Sequence, residues 1–324
     1  MLFTVLAILP TLFIGNSAAQ EPTFSSQSNV VLVPTLIRDA RGNAVYGLQS
    51  KDFMVEDEGV QQTVRLDEEA ESEPISVVVA VQTGRRAMRE FPRIRGLSSM
   101  LEPVFDQPQS RVALIEFDSK VSLICDFTHD DGVIHSDLEQ LQPGDGGAAI
   151  LDAVDYSVKL LEQEPKGSQR VLLLISETRD HGSKFATVND VIANVGDSNT
   201  VIYALPFSPS LSQVLDTERG RNKDEMQAGP DLLAPLIMTT QSMRKNVAKT
   251  IASMTGGEYE LFSSRKSFET DITGFTNHLH SRYLLSFQPQ NPHPGLHAIH
   301  VHLAVPGTST ALFRTSYWVE ATTN

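Results

Sequence analysis

Ile75-Ser-Val-Val-Val-Ala-Val81, followed by Gln82-Thr-Gly-Arg-Arg86, is a near-continuous apolar, largely β-branched run that breaks into a polar loop. That pattern predicts a strand buried on both faces, at the centre of a parallel sheet. The loop leaving such a strand lies at the carboxyl edge of an open α/β sheet, where ligands bind in this architecture. On either side of it, strand patterns recur. Arg111–Val121, Arg170–Ser176 and Thr200–Leu205 alternate with helical patterns up to about residue 281, the signature of a doubly wound, mostly parallel sheet flanked by helices.

Further segments fall into an ordered set. Gly146-Gly-Ala-Ala-Ile-Leu-Asp-Ala153 precedes a helical pattern, and Arg170-Val-Leu-Leu-Leu-Ile-Ser-Glu177 ends a second buried strand. Ile251-Ala-Ser-Met-Thr-Gly-Gly-Glu-Tyr259 then leads from a helix into a strand. With the first strand, these resemble the von Willebrand factor type A (VWA) family, and in particular its secreted Acidobacteria-type VWA-related members, from about residue 29 onward. In that family the first strand runs into Asp-x-Ser-x-Ser. A Thr in Gly-Gly-Thr-Ala-Leu-x-Asp-Ala and the Asp of Ser-Asp-Gly complete a site for Mg²⁺ or Mn²⁺. The resemblance implies a VWA/Rossmann-like fold and a degenerate site, because the aligned places hold Gln82, Gly84, Arg86, Ala148 and Glu177.

Mg²⁺ demands near-octahedral oxygen ligands, usually including a carboxylate. The five aligned places offer one amide, one cation, one carboxylate and two residues without a side-chain oxygen. No metal and no cofactor are expected there. Either Arg86 (or Arg85) fills the vacated space and pairs with Glu177, since a guanidinium suits a carboxylate bidentately, or both arginines face solvent.

Composition bounds the partners. The chain has 324 residues and a formal net charge of −14, which disfavours nucleic acid, since phosphate neutralisation needs a basic surface. A single cysteine allows no intramolecular disulfide; Cys125 alternates with Val121, Leu123 and Phe127 and is expected on an inward strand face, buried and inert. Residues 1–19 have the shape of a cleavable signal peptide, with an apolar Leu2–Ile14 and cleavage after Ala19. No later segment is long and apolar enough to span a bilayer, so a secreted, periplasmic or envelope location is expected.

The organisation expected is an N-terminal β segment and linker over 29–73, a VWA-like unit over 74–281, and a C-terminal β segment over 282–324. The terminal segments are expected to form one small β-sandwich, since neither is large enough alone. Asp57-Glu-Gly59 with Gln61–Leu66 reads as a hairpin. Thr128 is expected to cap a helix with Asp131 at its third position.

Residues 208–240 form a connection far longer than the ~2–6 residues usual in α/β units. Emerging at the carboxyl edge, it is the candidate partner-binding loop, through Asp216, Arg219, Arg221, Leu232, Leu233, Leu236 and Ile237. Its alternative is a tolerated insertion.

Six of nine histidines lie near the C-terminus, and His300 and His302 share one strand face, a spacing compatible with zinc but simpler as a solvated pair. No nucleophile elbow, phosphate loop or dinucleotide fingerprint is present. The expected function is a non-catalytic, secreted or envelope-associated module that binds an unknown protein partner without metal. Its alternatives are a structural or assembly component and, last, a zinc-binding protein.

Overall fold

A computed structural model describes residues 30–67, 73–207, 234–290, 292–304 and 309–321. Strand β1 (Val31–Arg38) leads into β2 (Phe53–Asp57), β3 (Val60–Gln62) and β4 (Arg65–Asp67). An α/β unit follows, with β5 (Ile75–Gln82), β6 (Arg111–Phe117), β7 (Val121–Thr128), β8 (Gln169–Ser176) and β9 (Thr200–Pro206). The described chain closes with β10 (Tyr283–Phe287), β11 (Gly295–Leu303), β12 (Thr310–Phe313) and β13 (Ser316–Val319).

The five-stranded sheet has the order β7-β6-β5-β8-β9, parallel except for the β6–β7 pair. Every residue of β5 is buried. Val77, Val79 and Val81 face one helix layer, while Val78 and Ala80 face the other. A strand covered on both faces has no use for polar alternation, which is why its sequence reads as one apolar run. Helices Ile150–Glu162, Val188–Asp197 and Val247–Thr255 cover one face; Asp131–Gln140, Arg265–Leu279 and short turns between Phe91 and Phe105 cover the other.

The terminal strands form two four-stranded antiparallel sheets, β12-β1-β10-β4 and β13-β11-β2-β3. Val33, Ile37 and Leu285 from one meet Phe53, Val55 and Val301 from the other in a shared core, so the two sheets make a sandwich. Glu258, in the α/β unit, is buried and receives Arg38 of β1 at 3.1 Å, the His278 Nδ1 at 2.9 Å and Arg282 at 3.6 Å. Burial pushes its carboxyl pKa up, but His278, Arg282 and Arg38 outweigh that and hold it below the ordinary value.

Four local expectations change. The stretch Gln61–Leu66 is not one strand: β3 pairs with β2 in one sheet, and β4 pairs with β10 in the other, so the chain crosses between sheets at Thr63-Val64. Thr128 does not cap its helix; it ends β7, and Asp130 takes the cap by accepting from the Gly132 N–H at 3.0 Å. Two register shifts in the β6–β7 pair break the expected alternation. Cys125 is half-buried against one core, Val121 and Phe127 pack on the other, and Leu123 is exposed. Burial and the nearby Asp137, Asp126 and Asp130 raise the Cys125 thiol pKa, which keeps it protonated and unreactive.

The fourth concerns the long connection. Residues 208–233 lie outside the described residues, and so does the expected signal segment 1–19. The part described from Ala234 is helix, running Ala234–Lys245, and not loop. Among the described residues, no helix is long and apolar enough to cross a membrane.

Candidate functional site

Strands β5 and β8 are neighbours in parallel register, with Val81 opposite Ile175. Gln82 and Glu177 therefore leave the carboxyl edge side by side. Gln82 is fully buried and uses both ends of its amide. Its Nε2 donates to Glu177 Oε1 at 3.0 Å, and its Oε1 accepts from the Glu177 backbone N–H at 2.7 Å. The other carboxylate oxygen, Oε2, lies 3.3 Å from an Arg86 guanidinium nitrogen and 3.3 Å from His181 Nε2. An ionised carboxylate only accepts, so His181 presents an Nε2–H here. Glu177 itself is 5% exposed, whereas the Arg86 side chain is 59% exposed. One buried acid is thus held by an amide, a guanidinium and an imidazole.

The remaining aligned places are backbone-defined. A Cβ at Gly84 would overlap the Gly147 carbonyl oxygen, so the two loops approach closer than any side chain permits. Two hydrogen bonds knit them, Gly144 N–H to Thr83 O at 2.8 Å and Arg85 N–H to Asp145 O at 2.6 Å, while Ala149 N–H to Asp118 O at 2.7 Å ties the second loop to the β6–β7 turn. Ala148, buried, exchanges backbone hydrogen bonds with His181 at 3.3 and 3.0 Å. The buried Asp152 carboxylate then accepts from the backbone N–H groups of Lys184, Phe185 and Ala186 at 2.8, 3.0 and 2.7 Å. That fixes the loop after Glu177.

The outer surface of this edge carries several cations, interspersed with Asp118, Asp145 and Asp180, and one prominent ring. Arg85, Arg86, Arg179, His181 and Lys184 are exposed, and Phe185 is 85% exposed on backbone that Asp152 holds rigid. His181, Asp152 and Phe185 are functional candidates that sequence reasoning did not single out. Only Asp152 had a signal, its place in the Gly146–Ala153 segment.

Elsewhere the expected sites separate. Asp216, Arg219, Arg221, Leu232 and Leu233 lie outside the described residues. Leu236 and Ile237 lie on the helix Ala234–Lys245; Leu236 packs against the core, while Ile237 and Met238 are exposed. The end of that helix is tied to the site loop, since Lys245 O accepts from Arg179 at 3.3 Å and Val247 N–H donates to Thr178 O at 2.9 Å. The rings of His300 and His302 are exposed and stacked 6.4 Å apart. Among the described residues, the His, Cys, Asp and Glu side chains close enough to share an ion are Glu58, His293 and His297.

Residues 82–179 match the von Willebrand factor type A domain family, a stretch that spans the site from Gln82 past Glu177 and relates this part of the chain to that family. No curated protein matches the chain. Among solved structures, the VWF domain of the type V pili tip protein Mfa5 from Porphyromonas gingivalis is 14% identical, with a TM-score of 0.31. That likeness covers 34% of this chain and 39% of that one. BatB from Bacteroides thetaiotaomicron is 13% identical over 63% of this chain and 98% of that one, with a TM-score of 0.43. The PilB minor pilin from Streptococcus sanguinis is 12% identical over 65% of this chain and 62% of that one, also at 0.43. At these scores the likenesses carry no argument about function.

Proposed function

We propose that this chain is a non-catalytic, exported protein-recognition module whose carboxyl-edge face works without a divalent ion. The observation that carries this reading is the occupied state of Glu177, whose two oxygens are already engaged by Gln82, Arg86 and His181. The residues do not fit Mg²⁺ or Mn²⁺. A guanidinium within 3.3 Å of the one carboxylate stands where an ion would need oxygens. Repulsion from the largely solvent-exposed Arg86 is screened, so the missing oxygen ligands weigh more against an ion than the charge does. Gly84 and Ala148 supply no oxygen from their side chains.

Recognition in this reading is electrostatic and aromatic. Arg85, Arg86, Arg179 and Lys184 outnumber the acids Asp118, Asp145 and Asp180 along this rim of a chain of net charge −14, and Phe185 projects from it. Arginine and exposed aromatic rings are the side chains that anchor protein interfaces. A charge of opposite sign on the partner would guide its approach. The partner is therefore an acidic protein surface with an apolar pocket for one ring. Export rests on the signal shape of residues 1–19.

The full chain, crosslinked to an envelope fraction of producing cells, tests this reading. Capture of the same protein in EDTA and in Mg²⁺, reduced at least about tenfold by Phe185→Ala, is expected for a hot-spot ring. Capture that requires Mg²⁺, or that ignores Phe185→Ala, contradicts it.

A further inference from the structure

A second constellation lies in the β-sandwich, apart from the carboxyl edge. The tight β2–β3 turn carries Asp57 and Glu58, and its Glu58 N–H donates to Ala298 O at 2.9 Å, which sets it against β11. His293 precedes β11 and His297 lies within it. Glu58 Oε2 is 3.1 Å from His293 Nε2; His297 Nδ1 is 3.4 Å from Asp57 Oδ1 and 3.8 Å from Glu58 Oε2. The ligand atoms of Glu58, His293 and His297 all lie within 4.8 Å of one another.

The tautomers follow from the opposite ring nitrogens. His297 Nε2 sits 2.8 Å from the His293 carbonyl oxygen, and His293 Nδ1 sits 3.1 Å from that of Pro294. A carbonyl can only accept, so both of these nitrogens carry the proton. In the neutral rings, His297 Nδ1 and His293 Nε2 are left with lone pairs aimed at carboxylate oxygens. His297 is 3% exposed, and both its Nδ1 and Asp57 Oδ1 are buried without a hydrogen-bond partner. Two lone-pair nitrogens facing two carboxylates repel unless a cation stands between them.

We propose that His293 Nε2, His297 Nδ1 and Glu58 bind one Zn²⁺, whose fourth position is left to water. Zinc–nitrogen and zinc–oxygen bonds of about 2.0–2.2 Å on a tetrahedral ion place ligand atoms roughly 3.3 Å apart. Glu58 lies 3.1 Å from His293 and 3.8 Å from His297, close to that, and all three ligand atoms lie within 4.8 Å. Imidazole nitrogen selects zinc and its first-row neighbours over Mg²⁺ and Ca²⁺, which take oxygen. The outer partners are those of a metal-binding histidine. Each ring donates its far N–H to a backbone carbonyl, and Tyr317 donates to the second Asp57 oxygen at 2.8 Å. His297 is stacked between His293 and Tyr317, with centroids 4.1 and 4.7 Å apart, so the partly exposed His293 ring must tilt out of the stack for both lone pairs to meet one ion. Glu58 and His293 are partly exposed and give the ion its way in. Bound there, zinc clips the β2–β3 turn to the connection before β11.

The competing occupant is a proton on His297 Nδ1. Burial opposes the charged ring, but Asp57, the His293 carbonyl and Glu58 favour it and together raise its pKa. Zinc titrated calorimetrically into untagged full chain, stripped with EDTA and dialysed, separates the two. The expected result is a single Zn²⁺ per chain, and a Co²⁺ derivative with the intense visible absorption of a tetrahedral ion. His293→Ala and Glu58→Gln, both at partly exposed residues, should each weaken binding by about tenfold or more with circular dichroism unchanged; His300→Ala with His302→Ala should change it by less than about twofold. Substoichiometric binding, or binding that survives His293→Ala and Glu58→Gln alike, overturns the proposal and leaves the proton in place. So does loss of binding in the His300/His302 variant alone.

Discussion

Glu177 shows how single side chains set the carboxyl edge. Gln82 bridges it twice from a fully buried position, so truncation leaves a buried carboxylate oxygen and a buried backbone N–H each short of a partner. Gln82→Ala should therefore lower stability in urea by about 2–3 kcal/mol. Arg86→Ala should cost less than about 1 kcal/mol, because its side chain is mostly in solvent, where screening erodes an ion pair. The Arg86→Ala/Glu177→Ala double-mutant cycle should still show a coupling of at least about 0.5 kcal/mol, and additivity would remove the pairing. The juxtaposition of Gln82, Arg86 and Glu177 is legible in sequence because residues that end neighbouring parallel strands must emerge together. His181 is not, since it reaches Glu177 through a loop whose course is fixed by the backbone exchange with Ala148.

At the scale of elements, the site is a set of loops locked to one another. Asp152 gathers three backbone N–H groups, each a charge-assisted bond, and so positions the segment that carries Lys184 and Phe185. Asp152→Ala should destabilise the chain by about 3 kcal/mol and open the bond after Lys184 to trypsin faster than global unfolding allows. Thermal unfolding with timed proteolysis checks both. The central strands were readable because burial on two faces leaves an unbroken apolar run. The edge strand β7 was not, because its two register shifts move Cys125 to the opposite face from Val121 and Phe127. A shift in pairing leaves no trace in one strand's own sequence. The crossing at Thr63-Val64 escaped for a related reason: alternation continues through it while the hydrogen-bond partner changes.

For the whole molecule, three cores and one buried carboxylate hold the parts together. Glu258 and His278 of the α/β unit meet Arg38 of β1 and Arg282 at the start of the C-terminal segment. The Glu258 carboxyl pKa lies below 4.5 in the folded state, so its contribution is complete above about that pH and is lost as pH falls through the lowered value. Glu258→Gln should cost about 3 kcal/mol near neutrality and flatten the fall in stability below pH 4.5, both measured by denaturant unfolding across pH. The α/β layering and the pairing of N- with C-terminal strands were legible from pattern and segment length. The Asp57, Glu58, His293 and His297 cluster was not, since it forms only when β2 and β11, from opposite ends of the chain, pair as neighbours in one sheet.

Titration of Mg²⁺ and Mn²⁺ into the EDTA-stripped full chain, by calorimetry and thermal unfolding together, bears most directly on an ion-free carboxyl edge. We expect unfolding midpoints equal to that in EDTA and no heat of binding that depends on Glu177. A stabilisation of about 2.7 kcal/mol at roughly a hundred times the dissociation constant, abolished by Glu177→Gln, would contradict this. Glu177 would then be an ion ligand, and the Arg86 contact a state that the ion displaces.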